Sequence, residues 1–240
     1  MNYLGNSAIF TLSGRGAARL ACLTRVQEVG GSNPLAPTSL WADTSQMIYY
    51  LSKYIALFLL YTFFRFRVRG REFVPRNGPC FIVSNHSSYL DPIVVGCASP
   101  RRVYFVAKEE LFSNPVARFF LKQLGAFPLR RGEADREAVK TILALLRKNK
   151  AVCLFPEGTR NQGTVQELRS GAVKLLMKSK VPIVVAGLRG TYESYPQGSK
   201  RIHIHPISVS FSVPLEELPQ NLEESKMTLM EKMEALSSAL

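Results

Sequence analysis

Cysteine, histidine and acidic side chains are scarce in this chain of 240 residues, and each shortage removes a class of chemistry. The 4 cysteines, Cys22, Cys80, Cys97 and Cys153, show no C-x-x-C spacing, which argues against a zinc site. Three of them lie in or beside apolar runs and read as small buried hydrophobes in a reducing compartment. Only 3 histidines are present, His86, His203 and His205, so few groups can serve as a base near neutral pH. His203 and His205 share one face of an alternating stretch with no acid nearby, and a metal would need further ligands. They read as surface residues. The G-x-S-x-G pattern of a serine nucleophile elbow is absent. So are the aromatic–basic interleaving of RNA binders and the pattern of a recognition helix, which argues against nucleic acid. The first residues lack the ordered charged, apolar and small-residue regions of a signal peptide.

Positive charge is plentiful. Against 18 Asp+Glu stand 31 Lys+Arg, a formal net charge of +13. Such an excess favours anionic partners such as a lipid surface or a phosphorylated substrate, although a merely solvated basic surface has the same composition. With 46% hydrophobic residues the chain can bury a substantial core, and its length suits one domain with a terminal appendage. Residues 1–46 differ from the remainder. They are rich in Gly, Ser, Ala, Thr and Asn, lack periodicity, and carry the breaker-rich run from Gly30 to Thr38. They also resemble the peptide made when a bacterial transfer-RNA gene is translated. The expectation is a disordered or spurious extension, with Met47 as the true start.

From Met47 the chain turns apolar. Ile48 to Phe64 carries only Lys53 as a charge, placed near the start where a long side chain can reach headgroups. The apolar part is close to the shortest that spans a bilayer, roughly 17–25 residues. Arg65, Arg67, Arg69 and Arg71 follow at once and suit an anionic leaflet, while the tyrosines suit an interface. A membrane-anchoring helix over 47–66 is expected; a buried core helix is the competing reading.

Beyond it, strands and helices alternate. Strands are expected at 64–69, 80–83, 102–108, 125–129, 151–155 and 181–186, with one or two edge strands in 202–211. Helices are expected from Asp91-Pro92, around 115–124, over 133–148, over 170–178 and over 222–240. The order implies an α/β fold with a largely parallel central sheet flanked by helices. In such sheets ligands gather beyond the carboxyl ends of the strands. His86, Lys108, Arg131 and the run Glu157–Arg160 all fall just after predicted strands.

His86 and Asp91, five positions apart, follow the apolar run Cys80–Val83. They are the two groups a base-catalysed acyl transfer needs: an imidazole to take a hydroxyl proton and a carboxylate to fix its tautomer. Without a nucleophile elbow, direct attack by a substrate hydroxyl is favoured over a covalent acyl-enzyme. A turn histidine in a structural role is the alternative.

Asn85-His86-Ser87-Ser88-Tyr89-Leu90-Asp91 resembles the NHxxxxD box of the glycerolipid acyltransferases. Gly125-Ala126-Phe127-Pro128-Leu129-Arg130-Arg131 is similar to their second box. Phe155-Pro156-Glu157-Gly158-Thr159-Arg160 reproduces the third, and Val181-Pro182-Ile183-Val184-Val185-Ala186 resembles the fourth, with Val185 where proline is common. The likeness covers residues 47–215 and is nearest to the bacterial lysophosphatidic acid acyltransferases. It implies that 67–240 is an acyltransferase domain at the cytoplasmic face of the cytoplasmic membrane. It further implies that His86 is the general base and Asp91 its orienting partner, and that the acceptor is lysophosphatidic acid. Acyl-CoA or acyl-carrier protein would be the co-substrate, with no metal and no other cofactor. Arg160, helped by Arg131 and Lys108, would hold the acceptor phosphate. Glu157 would position Arg160 or a glycerol hydroxyl, or form a structural ion pair. Gly158 would allow a tight turn against the substrate, Gly158 and Thr159 would both belong to the substrate-binding set, and backbone N–H groups near the helix start after His86 would serve as oxyanion donors. Another acceptor, such as glycerol-3-phosphate or a different lysolipid, is the first alternative, and a non-catalytic basic membrane module is the second.

Overall fold

A computed structural model describes residues 38–108, 112–113, 115, 118, 121, 125–129, 134–199 and 201–240. Residues 1–37 and Arg131 lie outside the described residues, as do the side chain of Lys108 and most of the helix expected around 115–124.

Among the described residues, short and mostly continuous apolar runs build a 7-stranded sheet in the order β1-β7-β6-β2-β5-β3-β4. Its members are β1 (Arg67–Arg69), β2 (Cys80–Ser84), β3 (Val103–Lys108), β4 (Ala126–Leu129), β5 (Ala151–Leu154), β6 (Ile183–Arg189) and β7 (Ser208–Phe211). Strands β2 to β6 pair in parallel; β7 runs antiparallel to β6, and β1 parallel to β7. Residues 202–207 form no strand, and β7 lies inside the sheet between β1 and β6, which corrects the expected edge strands. The alternation of Ile202 to His205 fails as a strand signal because both of its faces are exposed.

Both faces of the central strands are buried, as a parallel sheet requires. Cys80, Ile82, Ala151, Cys153, Val184 and Ala186 point to one layer; Phe81, Val83, Val152, Leu154, Ile183 and Val185 point to the other. The first layer is covered by α1 (Thr38–Phe64) and α2 (Asp91–Ala98). The second is covered by α3 (Ala134–Arg147), α4 (Ser170–Ser179) and α6 (Leu222–Ser238), with the one-turn α5 (Thr191–Ser194) after β6. Cys80, Cys97 and Cys153 are free, buried thiols of this core.

Helix α1 begins at Thr38 rather than Met47, since nothing between Pro37 and Met47 breaks a helix. Its segment Gln46–Phe64 is long and apolar enough to cross a membrane, and 17% of that window is buried. One stripe, Tyr49, Lys53 and Leu60, packs on the domain. The opposite side exposes Leu51, Tyr54, Ile55, Phe58 and Leu59. Lys53 does not reach outward as expected: it is buried, and its Nζ donates to the Ser99 carbonyl at 2.7 Å. Ser99 closes α2, where the helix dipole favours a cation, so an ammonium there is well placed.

Candidate active site

The carboxyl ends of β2 and β5 place two polar loops side by side. After Ser84, the amide of Asn85 continues the β2–β6 ladder by one step. It donates to the Leu188 carbonyl at 3.1 Å and accepts the Leu188 N–H at 2.8 Å. The chain must then leave the sheet, and His86 is the first residue free of it.

Asp91 opens α2, where the dipole favours an anion, and Pro92 beside it suits the first helical turn. Its carboxylate is fully buried, and Oδ2 accepts from the Ser87 and Ser88 N–H groups, both at 2.7 Å. The same oxygen lies 2.8 Å from His86 Nδ1. With the ring proton on Nδ1 donated to Asp91, Nε2 is left as an acceptor on an imidazole whose side chain is 17% exposed. That is the geometry of an oriented base. Phe155 stacks on the ring at a centroid distance of 4.2 Å, closing its other side. The N–H groups of Ser87 and Ser88 are committed to Asp91 and are not free to serve as oxyanion donors.

The third box supplies a brace. Glu157 Oε1 accepts the His86 backbone N–H at 3.1 Å, the Asn161 N–H donates to the His86 carbonyl at 2.9 Å, and Asn161 Nδ2 donates to Glu157 Oε2. Asn161 Oδ1 in turn accepts the Gly163 N–H at 3.0 Å. His86 is thus held on both sides of its backbone by buried polar groups. Burial pushes the Glu157 carboxyl up to about 7 against the pull of the donors from His86 and Asn161, with the Asp91 charge adding to the rise. Its oxygens face His86 and Asn161, so it sits against the histidine rather than beside Arg160. Gly158 adopts φ +67°, and a Cβ there would overlap the Arg169 side chain. Glycine is therefore required at this turn.

Arg160 stands apart from the brace. Its guanidinium lies 3.5 Å above the Tyr89 ring, a cation–π shelf, and Nη1 is buried with no hydrogen-bond partner among the described residues. Tyr89 is steadied by Tyr195 at 5.7 Å between ring centroids, and Ser88 Oγ donates to the Tyr195 carbonyl at 2.7 Å. Thr159 and Gly158 are exposed at the rim. His203 and His205 are exposed and take no part.

The loops therefore unite His86, Asp91, Glu157, Gly158, Thr159 and Arg160 at one strand edge. Asn85, Tyr89, Phe155 and Asn161 are additions that sequence reasoning assigned no role. Asn85, Tyr89 and Phe155 lie inside the two boxes and Asn161 directly follows the second of them, which was their only signal.

The Acyltransferase family profile matches residues 65–189. A chloroplastic 1-acyl-sn-glycerol-3-phosphate acyltransferase of Brassica napus is 32% identical over 161 residues, covering 65% of this chain and 46% of that protein. The 1-acyl-sn-glycerol-3-phosphate acyltransferase of Bacillus subtilis is 34% identical over 125 residues, covering 52% of this chain and 62% of that protein. The chain thus spans about half the length of these relatives. The crystal structure of the 1-acyl-sn-glycerophosphate (LPA) acyltransferase from Thermotoga maritima shares the fold at TM-score 0.65 and 21% identity, covering 83% of this chain and 88% of that one. With the profile spanning both loops of the site and more than half of the sequence, this chain belongs to the acyltransferase family.

Proposed function

We propose that this chain transfers a fatty acyl group from an acyl thioester, acyl-CoA or acyl-carrier protein, to the free hydroxyl of lysophosphatidic acid, giving phosphatidic acid. The reading rests on one observation: a carboxylate-held imidazole on the same loop as Tyr89, over whose ring lies a guanidinium with a buried donor that has no partner among the described residues. The names of the relatives agree with it. In the reaction, His86 Nε2 takes the acceptor hydroxyl proton as the oxygen attacks the thioester carbonyl. Asp91 offsets the imidazolium charge. Collapse of the tetrahedral intermediate breaks the C–S bond, and His86 returns its proton to the departing thiolate. Arg160, with Arg131 and Lys108, binds the acceptor phosphate, for which a planar fork of donors is suited.

The acceptor is a bilayer lipid, which gives the exposed apolar face of α1 a purpose. It lies in the leaflet while the stripe bearing Lys53 stays on the domain. The exposed arginines Arg65, Arg67 and Arg69 then face the anionic cytoplasmic surface. The test is to mix the protein with lysophosphatidic acid and acyl-CoA in detergent and monitor thiol release. Release that depends on the acceptor is expected, and a panel with glycerol-3-phosphate and other lysolipids fixes the substrate. Lysolipid binding without thiol release would overturn the enzymatic reading.

A further inference from the structure

The loop from Arg201 to Pro206 is exposed along its whole length, and it contains two of the most exposed aliphatic side chains on the described surface, Ile202 at 57% and Ile204 at 71%. A cluster of apolar groups held out in water together, unlike a single one, calls for an apolar partner. The loop is not slack. The His203 N–H donates to the Ser194 carbonyl at 2.8 Å, and Ser194 Oγ reaches the His205 carbonyl at 3.3 Å. Its last residue runs into Ile207, whose N–H donates to the Phe64 carbonyl at 2.8 Å and whose carbonyl accepts the Arg67 N–H at 3.0 Å. These two bonds seat the loop at the carboxyl end of α1, next to exposed Phe63 and the basic run that follows it.

The sheet register fixes which edge this is. Arg189 at the end of β6 pairs with Ser208 at the start of β7, so the loop emerges at the edge that carries His86. Tyr89 and Ile93, at the mouth of the site, add exposed apolar surface to the same edge. Arg201 beside the isoleucines, and Arg65 and Arg67 across Ile207, supply positive charge around the patch. An apolar tip in a basic collar is complementary to an anionic bilayer and to little else.

We propose that the Arg201–Pro206 loop is a second membrane contact, in which Ile202 and Ile204 enter the acyl region while Arg201 lies among anionic headgroups. The proposal rests on the lipid-acceptor reading above. With α1 it gives the domain two separated points of attachment, which fixes the tilt of the His86 edge toward the leaflet.

The test places a fluorescent probe at the loop of the full chain. In a Trp41→Phe background, which removes the only tryptophan of the chain, Ile204→Trp is compared with Val213→Trp. Val213 is 61% exposed but follows the far end of β7, at the opposite sheet edge. With phosphatidylcholine–phosphatidylglycerol vesicles carrying brominated acyl chains, the probe at position 204 is expected to be quenched and that at 213 to be unaffected. Equal quenching at the two positions, or none at 204, overturns the proposal. Separately, the pair Ile202→Ser and Ile204→Ser is expected to weaken vesicle partitioning by about tenfold or more. Turnover of a short-chain, water-soluble lysophosphatidic acid should be unchanged. If the unsubstituted protein acylates neither the soluble nor the vesicle-borne acceptor, the acyl-transfer reading fails, whatever the quenching shows.

Discussion

The two halves of the site are built on different principles. Around His86 nearly every polar group has a partner, the buried Asp91 Oδ1 being the exception among the described residues. Asp91 Oδ2 takes two backbone N–H groups and the ring nitrogen, Glu157 and Asn161 hold the backbone on either side, and Phe155 covers the ring. Around Arg160 one guanidinium nitrogen is buried without a partner among the described residues, where its support is the face of Tyr89. An over-determined half suits a group that must hold one geometry through a proton transfer. An under-satisfied half suits a group that waits for an anion, because an unpaired buried donor gains most from the oxygen that meets it. Substitutions in the first half should therefore act on kcat, and substitutions in the second on the KM of the acceptor.

The largest effect is expected at the base. His86→Ala should lower kcat at least about a hundredfold, with the acceptor KM little changed. Single-turnover thiol release checks this. A comparable rise in KM would mean that the histidine binds rather than reacts, and the contrast between the halves would break. Arg160→Ala comes next. Loss of a charge-assisted contact of about 1.5–3 kcal/mol should raise the acceptor KM by roughly ten- to a hundredfold while kcat is largely kept. Steady-state kinetics at fixed donor reads the split. If kcat fell and KM held, Arg160 would belong with the brace.

How far the sequence revealed all this differs along the chain. Strands such as Cys80–Ser84 and Ala151–Leu154 were legible because a doubly buried parallel strand is a continuous apolar run with few alternatives. The residues of the two boxes were legible for the same reason, lying where such strands end. The run Ile202–His205 misled because period-2 alternation reports only a possible pleat, and no neighbouring strand offers it hydrogen bonds. Lys53 misled because a charge in an apolar helix was read against lipid, whereas the partner, the Ser99 carbonyl, is 46 positions away in the chain. The brace was hidden in the same way: Glu157 and His86 are 71 positions apart. Long-range polar pairs leave no periodic trace.

A smaller effect sharpens the picture of the brace itself. In Glu157→Gln the side-chain oxygen can still accept the His86 N–H, but the new amide NH2 meets Asn161 Nδ2, also a donor. Asn161 cannot simply flip, because its oxygen holds the Gly163 N–H. One lost charge-assisted bond between buried groups should lower kcat by about tenfold, near 1.4 kcal/mol. The acceptor KM should not move. A change in KM alone would assign Glu157 to the acceptor side after all.

The smallest effect concerns pH and stability. The Glu157 carboxyl is raised from 4.5 to about 7, chiefly by burial. A raised acid favours its protonated form in the fold, so its contribution to stability is complete below about 4.5. That contribution declines as pH climbs, and it is gone above about 7. Glutamine cannot ionise and has no such decline. The unsubstituted protein should therefore lose its advantage over Glu157→Gln as pH rises from 5 to 7.5, by a few degrees in Tm. Melting curves of both proteins across that window read the difference directly. A gap that stays constant would mean that Glu157 ionises at its ordinary value. The donors from His86 and Asn161 would then outweigh burial, and the brace would be anionic at every working pH.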